Sequence, residues 1–213
     1  MRRRRAAGPA VALTVLLAAC TSSSGGKPST AGPAATTTTT VPGVVTGSFT
    51  LGSVDLQAVN AAADLPAATR DGVKAVLDRY LNTAVILPLN DAAPAGDLSA
   101  IFAGPALERV NGPDRAALVD EGLPKAAPVR VGTAHADLTA LIGPDGIAAL
   151  TAAIKVVVNG AVDGSPLTVE RTGELLLAED GGNWRVTGYD VKVTRDAAGA
   201  VTTTTLTTST VHR

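Results

Sequence analysis

The sequence has little of what most catalytic and nucleic-acid-binding sites are built from. It contains one cysteine, two histidines and five aromatic residues. One cysteine excludes an internal disulfide, and so few histidines and thiolates leave a transition-metal site short of ligands. Five aromatic rings argue against base stacking. There is also no glycine-rich phosphate loop and no Gly-x-Ser-x-Gly elbow. We therefore expect no metal, no cofactor and no nucleic-acid partner.

The first 19 residues have the pattern of an export signal. Four consecutive arginines, residues 2–5, precede an apolar run over residues 10–19 that only Thr14 interrupts. The run is about half the ~20 residues that a membrane-spanning helix needs, but it is long enough for the core of a signal peptide. No bulky apolar residues follow the arginines directly, which favours general secretion over twin-arginine export. Residues 1–19 are thus predicted to be a signal peptide.

The apolar run ends at Leu17, Ala18, Ala19 and Cys20, which resemble the bacterial lipobox. This resemblance implies that the Cys20 sulfur receives diacylglycerol, that the chain is cut before Cys20, and that the protein is held on the outer face of the cell membrane. The alternative is an ordinary secretory signal followed by a stray cysteine. The bias toward alanine, valine, glycine and arginine is typical of GC-rich genomes and, with the lipobox, suggests an actinobacterium.

Loss of the signal peptide changes the charge of the chain. Without its four arginines the protein has 14 basic residues against 19 acidic ones. Nonspecific nucleic-acid binding needs clustered positive charge. The mildly acidic balance therefore also argues against a nucleic-acid partner.

Two segments are rich in threonine and poor in large apolar residues. The linker from Cys20 to residue 47 is almost wholly Ser, Thr, Gly, Pro and Ala, so it predicts a disordered tether that spans on the order of 30 Å. Its threonine run, residues 36–40, is either O-glycosylated or low-complexity drift. Residues 201–211 either return as a further strand or form a disordered, glycosylated tail.

Residues 48–213 are predicted to form a single domain that begins with helices. Over residues 66–87 apolar side chains recur at spacings of three and four, which indicates an amphipathic helix, and we expect Pro88 to end it. A second helix is expected to start at Asp97 as its N-cap. A third is expected over residues 113–122.

After Pro128 the apolar period changes to two. This period predicts four antiparallel strands, over residues 129–142, 147–159, 167–177 and 184–194. A change of parity within the last strand predicts a bulge near Gly188, which would bend the sheet. The charged residues of the third strand, Glu170, Arg171 and Glu174, are interpreted as solvated surface.

Helices followed by a curved antiparallel sheet give an α+β fold class. This order, together with residues 112–118 as a short helix and residues 184–191 as a Trp-bearing late strand, resembles the nuclear transport factor 2-like superfamily over about residues 60–196. The resemblance implies a cone with a cavity. That superfamily includes isomerases, dehydratases, ligand binders and noncatalytic domains of cell-envelope proteins. Whether the domain dimerises through its sheet, as relatives of this fold often do, stays open.

Four residues are candidates for a cavity: Tyr80, His135, Asp137 and Tyr189. His135 and Asp137 share a strand face, so the carboxylate would orient the imidazole in an acid-base site. We favour the interpretation that both lie on the solvated face. Tyr80 lies on the apolar helical stripe and is interpreted as a core residue whose hydroxyl reaches the rim.

The sequence therefore predicts a noncatalytic envelope lipoprotein, anchored to the membrane through Cys20, that binds a partner protein or a small apolar ligand. The alternative is a cavity enzyme of isomerase or dehydratase type that uses His135 and Asp137. No motif position carries a catalytic role over to this chain.

Overall fold

Strands account for most of the structure that the chain forms. The computed structural model describes residues 45–58, 64–91, 95–143 and 146–208. The chain divides into the units Met1–Val41 and Pro42–Arg213, and every described element belongs to the second. The predicted signal peptide, the lipobox residues Leu17, Ala18, Ala19 and Cys20, and the tether up to residue 44 lie outside the described residues.

The strands form one six-stranded sheet in which they follow their order in the chain. They are β1 (Thr50–Ala58), β2 (Arg130–Gly143), β3 (Gly146–Val162), β4 (Ser165–Asp180), β5 (Asn183–Ala197) and β6 (Ala200–Thr207). Strands β2 to β6 pair antiparallel, which confirms the predicted meander and the α+β class. Strand β6 decides between the two interpretations of the threonine-rich C-terminal segment in favour of a strand.

The prediction that helices come first is wrong, because β1 precedes them. This strand pairs in parallel with β2, and its register shifts between Leu51 and Val54. The shift changes which face the side chains occupy, so the segment has no continuous alternation of apolar and polar residues. That irregularity hides the strand from an analysis that relies on a period of two.

The bulge predicted near Gly188 is present. Leu176 pairs with Gly188 while Leu177 pairs with Val186, so Thr187 is the extra residue on β5. An extra residue shifts the parity of the side chains that follow it. Val186 and Tyr189 are therefore both buried although their spacing is odd.

The first predicted helix is longer and less regular than its periodicity indicated. It comprises α1 (Ala67–Tyr80), a π-helical segment (Leu81–Ile86) and α2 (Leu87–Asp91). Pro88 does not end the helix, so that prediction is wrong. Proline has no N–H to donate, but the wider π-helical turn before Pro88 already interrupts the α-helical backbone hydrogen bonds. Pro88 can therefore lie in the first turn of α2.

The predicted second and third helices are shorter and displaced. Asp97 accepts hydrogen bonds from the backbone N–H and the hydroxyl of Ser99, so it stabilises a turn and does not cap a helix. The helix α3 begins only at Gly104 (Gly104–Val110), with proline in its first turn. The third helix is the single turn α4 (Arg115–Leu118).

One face of the sheet is covered by the helices. From α1 the residues Val73, Val76, Leu77 and Tyr80 are buried, and alternate residues of strands β2 to β5 join them in one apolar cluster. Phe102 stacks edge-on with Tyr80 and with Tyr189, at centroid distances of 6.0 and 6.3 Å. These three rings join helix, loop and sheet at the centre of the core.

Candidate functional site

A buried ion pair lies inside this core. Arg171 projects from β4 toward the helices, and its Nη2 lies 2.6 Å from Oδ2 of Asp120, which follows α4. Both side chains are 0% exposed. The interpretation of Arg171 as solvated surface is therefore wrong. Leu167, Val169, Arg171 and Leu175 share one face of β4, and that face is the buried one.

Arg195 from β5 binds the same carboxylate. Its Nη2 and Nε donate to Oδ1 of Asp120 at 2.6 and 3.0 Å, and its side chain is 14% exposed. The backbone carbonyls of Leu118 and Ala117 accept further hydrogen bonds from Arg171 and Arg195. Since arginine stays protonated, two cations share one carboxylate, and the cluster carries one excess positive charge.

The helix irregularity positions Asp120. Pro88 has no N–H to donate to the carbonyl of Ala84, four residues before it. The backbone N–H of Asp120 donates to that carbonyl instead, at 3.3 Å. The π-helical segment is thus connected directly to the buried ion pair, and π-helical turns are frequent at functional sites.

Tyr80 completes this cluster. Its ring lies 6.0 Å from the guanidinium carbon of Arg171. Among the described residues, the Tyr80 hydroxyl and the Nε and Nη1 atoms of Arg171 have no hydrogen-bond partner, and all three are buried. The hydroxyl does not reach the rim, so that part of the prediction for Tyr80 is wrong.

Burial sets the protonation of these two groups. Burial raises the pKa of Tyr80, although the positive charge of Arg171 works in the opposite direction. Burial is the largest single influence and lowers the pKa of Arg171, but the charge and hydrogen bond of Asp120 act together with Tyr80 to raise it. The phenol therefore stays neutral and the guanidinium stays charged at ordinary pH. The cluster therefore presents hydrogen-bond donors to its surroundings.

Tyr189 belongs to a second, neutral cluster. Its hydroxyl donates to Oδ2 of Asp114 at 2.6 Å, and Arg109 binds the same carboxylate with Nε and Nη2 at 2.8 and 2.9 Å. Burial and the Asp114 carboxylate raise the pKa of Tyr189. Asp114 is buried and its charge is matched by Arg109. This cluster joins α3 and α4 to β5, and its polar groups are well paired.

His135 and Asp137 come together, but on the face of β2 opposite the core residues Ala136 and Leu138. Their side chains are 41% and 47% exposed, with Nε2 of His135 3.3 Å from Oδ2 of Asp137. The backbone N–H and hydroxyl of Ser53 donate to the Asp137 carboxylate and hold its pKa below the usual range. The pair therefore fastens the β1 edge strand at its register shift.

A surface groove lies between α1 and the β4–β5 hairpin. It has a volume of about 310 Å³ and is lined on the helix side by small residues, among them Ala68, Gly72 and Ala75. Trp184 forms its other wall. A Cβ on Gly72 would lie 2.7 Å from Cδ1 of Trp184, so only glycine lets the indole approach the helix this closely. The charged residues Arg79 and Glu179 also line the groove.

The N-terminal end of the described chain is clamped to the helix. Gly47 and the side-chain amide of Asn82 exchange two hydrogen bonds, each of 2.8 Å. The backbone N–H of Phe49 donates to Oδ1 of Asp78 at 2.6 Å. Residues 47–49 are therefore fixed to helical side chains before β1 begins.

Neither a metal-ligand cluster nor a membrane-spanning helix is found in the part of the chain that the structure describes. Within 45–58, 64–91, 95–143 and 146–208, no group of three or more His, Cys, Asp or Glu side chains is arranged to hold a metal ion. In the same ranges no helix is long and apolar enough to cross a membrane.

Of these features, the sequence indicated Tyr80, Tyr189 and the His135–Asp137 pair but missed the Arg171–Asp120–Arg195 cluster. The sequence signal for Arg171 was the alternation of buried and exposed residues along β4. Arg171 lies on the same strand face as the buried residues Val169 and Leu175. Asp120 had no such signal, because it lies in an irregular segment after α4.

Comparison with known proteins gives no assignment. No protein-family model, no curated protein and no solved structure matches the chain. The residues themselves therefore carry the functional argument.

Proposed function

We propose that the protein is a noncatalytic lipoprotein of the bacterial cell envelope whose folded domain binds a partner protein at the Trp184 groove. The observation that carries this proposal is the groove itself. A large aromatic side chain lies beside a helix face of small residues, with one basic and one acidic residue on the same walls. Aromatic and arginine residues dominate the binding energy of protein interfaces.

The membrane anchor is the second part of the proposal. Leu17, Ala18, Ala19 and Cys20 resemble a lipobox, and the preceding apolar run is too short to span a bilayer. The clamp at residues 47–49 supports a tethered arrangement, because it defines where the linker joins the domain.

The element order supports a distant relation to the nuclear transport factor 2-like superfamily. An amphipathic helix packs on the face of an antiparallel sheet, and the Trp-bearing strand β5 contains a bulge. The parallel strand β1 ahead of α1 departs from the order on which the resemblance was based. The resemblance therefore extends only to the packing of a helix on an antiparallel sheet.

The large and partly charged side chains of the core favour a partner protein over a small apolar ligand. Tyr80, Phe102 and Arg171 are among the largest fully buried side chains, and they occupy the space between the helices and the sheet. The isomerase or dehydratase alternative needs His135 and Asp137 inside a cavity. Their half-exposed position on the outer face gives that alternative no support.

The anchor is tested by expressing the full chain in a bacterium that processes lipoproteins and supplying an alkyne-labelled fatty acid. We expect the wild-type protein in the membrane fraction, carrying the label, and Cys20→Ser unlabelled and released or misprocessed. Ser24→Ala, four residues later in the linker, is the matched control and should behave as wild type. Equal membrane retention of Cys20→Ser would refute the anchor.

The groove is tested by site-specific photocrosslinking of the full chain in its native cell. A photoreactive residue at position 69, on the groove wall, should give one discrete protein adduct, and the same probe at position 192, on the outer face of β5, should not. Adding Trp184→Ala should abolish the adduct. Leu141→Ala, which removes another exposed apolar side chain, should leave it intact. Adducts that do not depend on Trp184 would refute the groove as the binding surface.

A further inference from the structure

The buried cluster around Arg171 presents more hydrogen-bond donors than its surroundings accept. The Nη1 group of Arg171 carries two N–H bonds and Nε carries one, and none of them has a partner among the described residues. The neighbouring Tyr80 hydroxyl is unpartnered as well. Buried polar groups are almost always paired, so unpaired donors need a physical explanation.

Each of the nearby acceptors already takes part in at least one hydrogen bond. Oε2 of Glu121, also buried without a hydrogen bond, is ion-paired with Nη2 of Arg115 at 2.6 Å. Oδ2 of Asp120 accepts from Arg171, and Oδ1 accepts twice from Arg195. The carbonyl oxygens of Leu118 and Ala117 accept from the same two arginines. A water molecule beside Arg171 would have to donate its own two hydrogens in this region. An anion only accepts, so it matches a group of donors better.

Charge leads to the same conclusion. Two guanidinium groups face one carboxylate, and the Tyr80 phenol is neutral, so the cluster holds one uncompensated positive charge. A buried charge is costly unless it is paired. One negative charge beside Arg171 would neutralise the cluster and satisfy donors at the same time.

We propose that the protein binds one small monovalent anion beside Arg171 and Tyr80, with one of the unpaired N–H groups of Arg171 and the Tyr80 hydroxyl as its donors. All of these donors are buried, so the ion would be bound without its water shell. The site lies in the core beneath the helix and is separate from the Trp184 groove, so its role is to complete the fold.

Chloride titration tests the site in solution. The full chain, purified in detergent, is unfolded thermally at constant ionic strength while sodium chloride replaces sodium gluconate, whose anion is too large for the site. A bound ligand stabilises the folded state in proportion to the logarithm of one plus its concentration over Kd. We expect the unfolding midpoint to rise with chloride, and the rise to shrink or vanish in Tyr80→Phe.

Tyr189→Phe is the matched control, because it removes the other buried phenol hydroxyl, which belongs to the Asp114 cluster. Its chloride dependence should equal that of wild type. A midpoint that does not depend on chloride, or the same dependence in Tyr80→Phe as in wild type, would overturn the proposal. If Tyr80→Phe does not fold, the crystallographic test below decides on the wild-type protein alone.

Bromide, a chloride substitute with an anomalous signal, locates the ion. Crystals of the wild-type chain grown in sodium bromide should show an anomalous peak within hydrogen-bonding reach of Arg171 Nη1 or Nε. A flat anomalous map at that position, with or without water density, would overturn the proposal. A peak without chloride-dependent stability would identify an adventitious ion only, which also overturns it.

Discussion

Arg171 and Asp120, separated by 51 positions in the chain, form a fully buried ion pair with 2.6 Å between Nη2 and Oδ2. Arg171 belongs to a central strand of the sheet, and Asp120 belongs to the irregular segment after α4. The pair therefore connects the helical layer to the sheet through charge as well as through apolar contact.

Removing the shared carboxylate should be strongly destabilising. Asp120→Asn leaves Arg171 buried without its counter-charge, and breaking one partner of a buried ion pair costs about 3–5 kcal/mol. Urea denaturation of the full chain measures the change. Glu174→Gln, exposed on the outer face of the same strand as Arg171, should change stability by about 0.5 kcal/mol or less.

A double variant separates charge from packing. Asp120→Asn combined with Arg171→Met removes one buried charge along with its partner, so it should be less destabilised than Asp120→Asn alone. An additive or larger loss in the double variant would contradict the view that an uncompensated charge causes the instability.

Alkaline titration should find neither of the two tyrosines ionising normally. The pKa values of Tyr80 and Tyr189 are both raised above the usual 10.0. A raised folded-state pKa contributes stability that is present below pH 10 and is lost as the pH rises above it toward the folded-state value. Absorbance at 295 nm should therefore stay flat through pH 10 in folded protein and rise at that pH in urea. A midpoint near 10 under native conditions would contradict this.

A methyl group at position 72 should displace the tryptophan. The Cβ of Gly72→Ala would lie 2.7 Å from Cδ1 of Trp184, so the indole has to move away from α1. Trp184 is the sole tryptophan of the sequence, which makes its fluorescence specific. We expect a red shift of emission and loss of the crosslinked partner.

Ala75→Ser, on the same groove wall, is the comparison and should leave the emission unchanged. An unshifted spectrum for Gly72→Ala would mean that the helix moves and the indole does not.

The clamp on the linker should depend on one amide. Asn82→Ala removes both hydrogen bonds to Gly47 and one to the Asp78 carbonyl. The free energy of unfolding should therefore fall by about 1–3 kcal/mol. Hydrogen exchange at Gly47 and Phe49 should accelerate. Thr83→Ala, the next residue in the chain, should change it little, and unchanged exchange in Asn82→Ala would contradict the clamp.

The sheet could be predicted because residues that alternate between apolar and polar along a strand also alternate between buried and exposed. Leu150, Ala152, Ile154, Val156 and Val158 alternate along β3, and all are buried. The bulge at Thr187 was equally visible, since an inserted residue shifts parity. Strand β1 was not, because its register shift interrupts the alternation in so short a segment.

The buried cluster escaped prediction for a different reason. Arginine is rarely buried without a partner, and Asp120, the partner of Arg171, is remote in the chain, so the charge of Arg171 predicts an exposed position. A proline predicts a helix end from its missing N–H alone, whereas here the N–H of Asp120 binds the carbonyl that Pro88 leaves free. Both errors arise from contacts over long sequence separations, which local patterns do not contain.

The clamp at Gly47 and Phe49 also determines how the domain would bear mechanical load. If the linker is anchored in a membrane, any pull on the domain arrives at residues 45–49, where Val45 packs against the core and Asn82 and Asp78 hold the backbone by hydrogen bonds. Force would thus enter through helical side chains before it reaches the hydrogen bonds of the sheet. Drag on a bound partner would loosen the linker attachment first and leave the core ion pair for last.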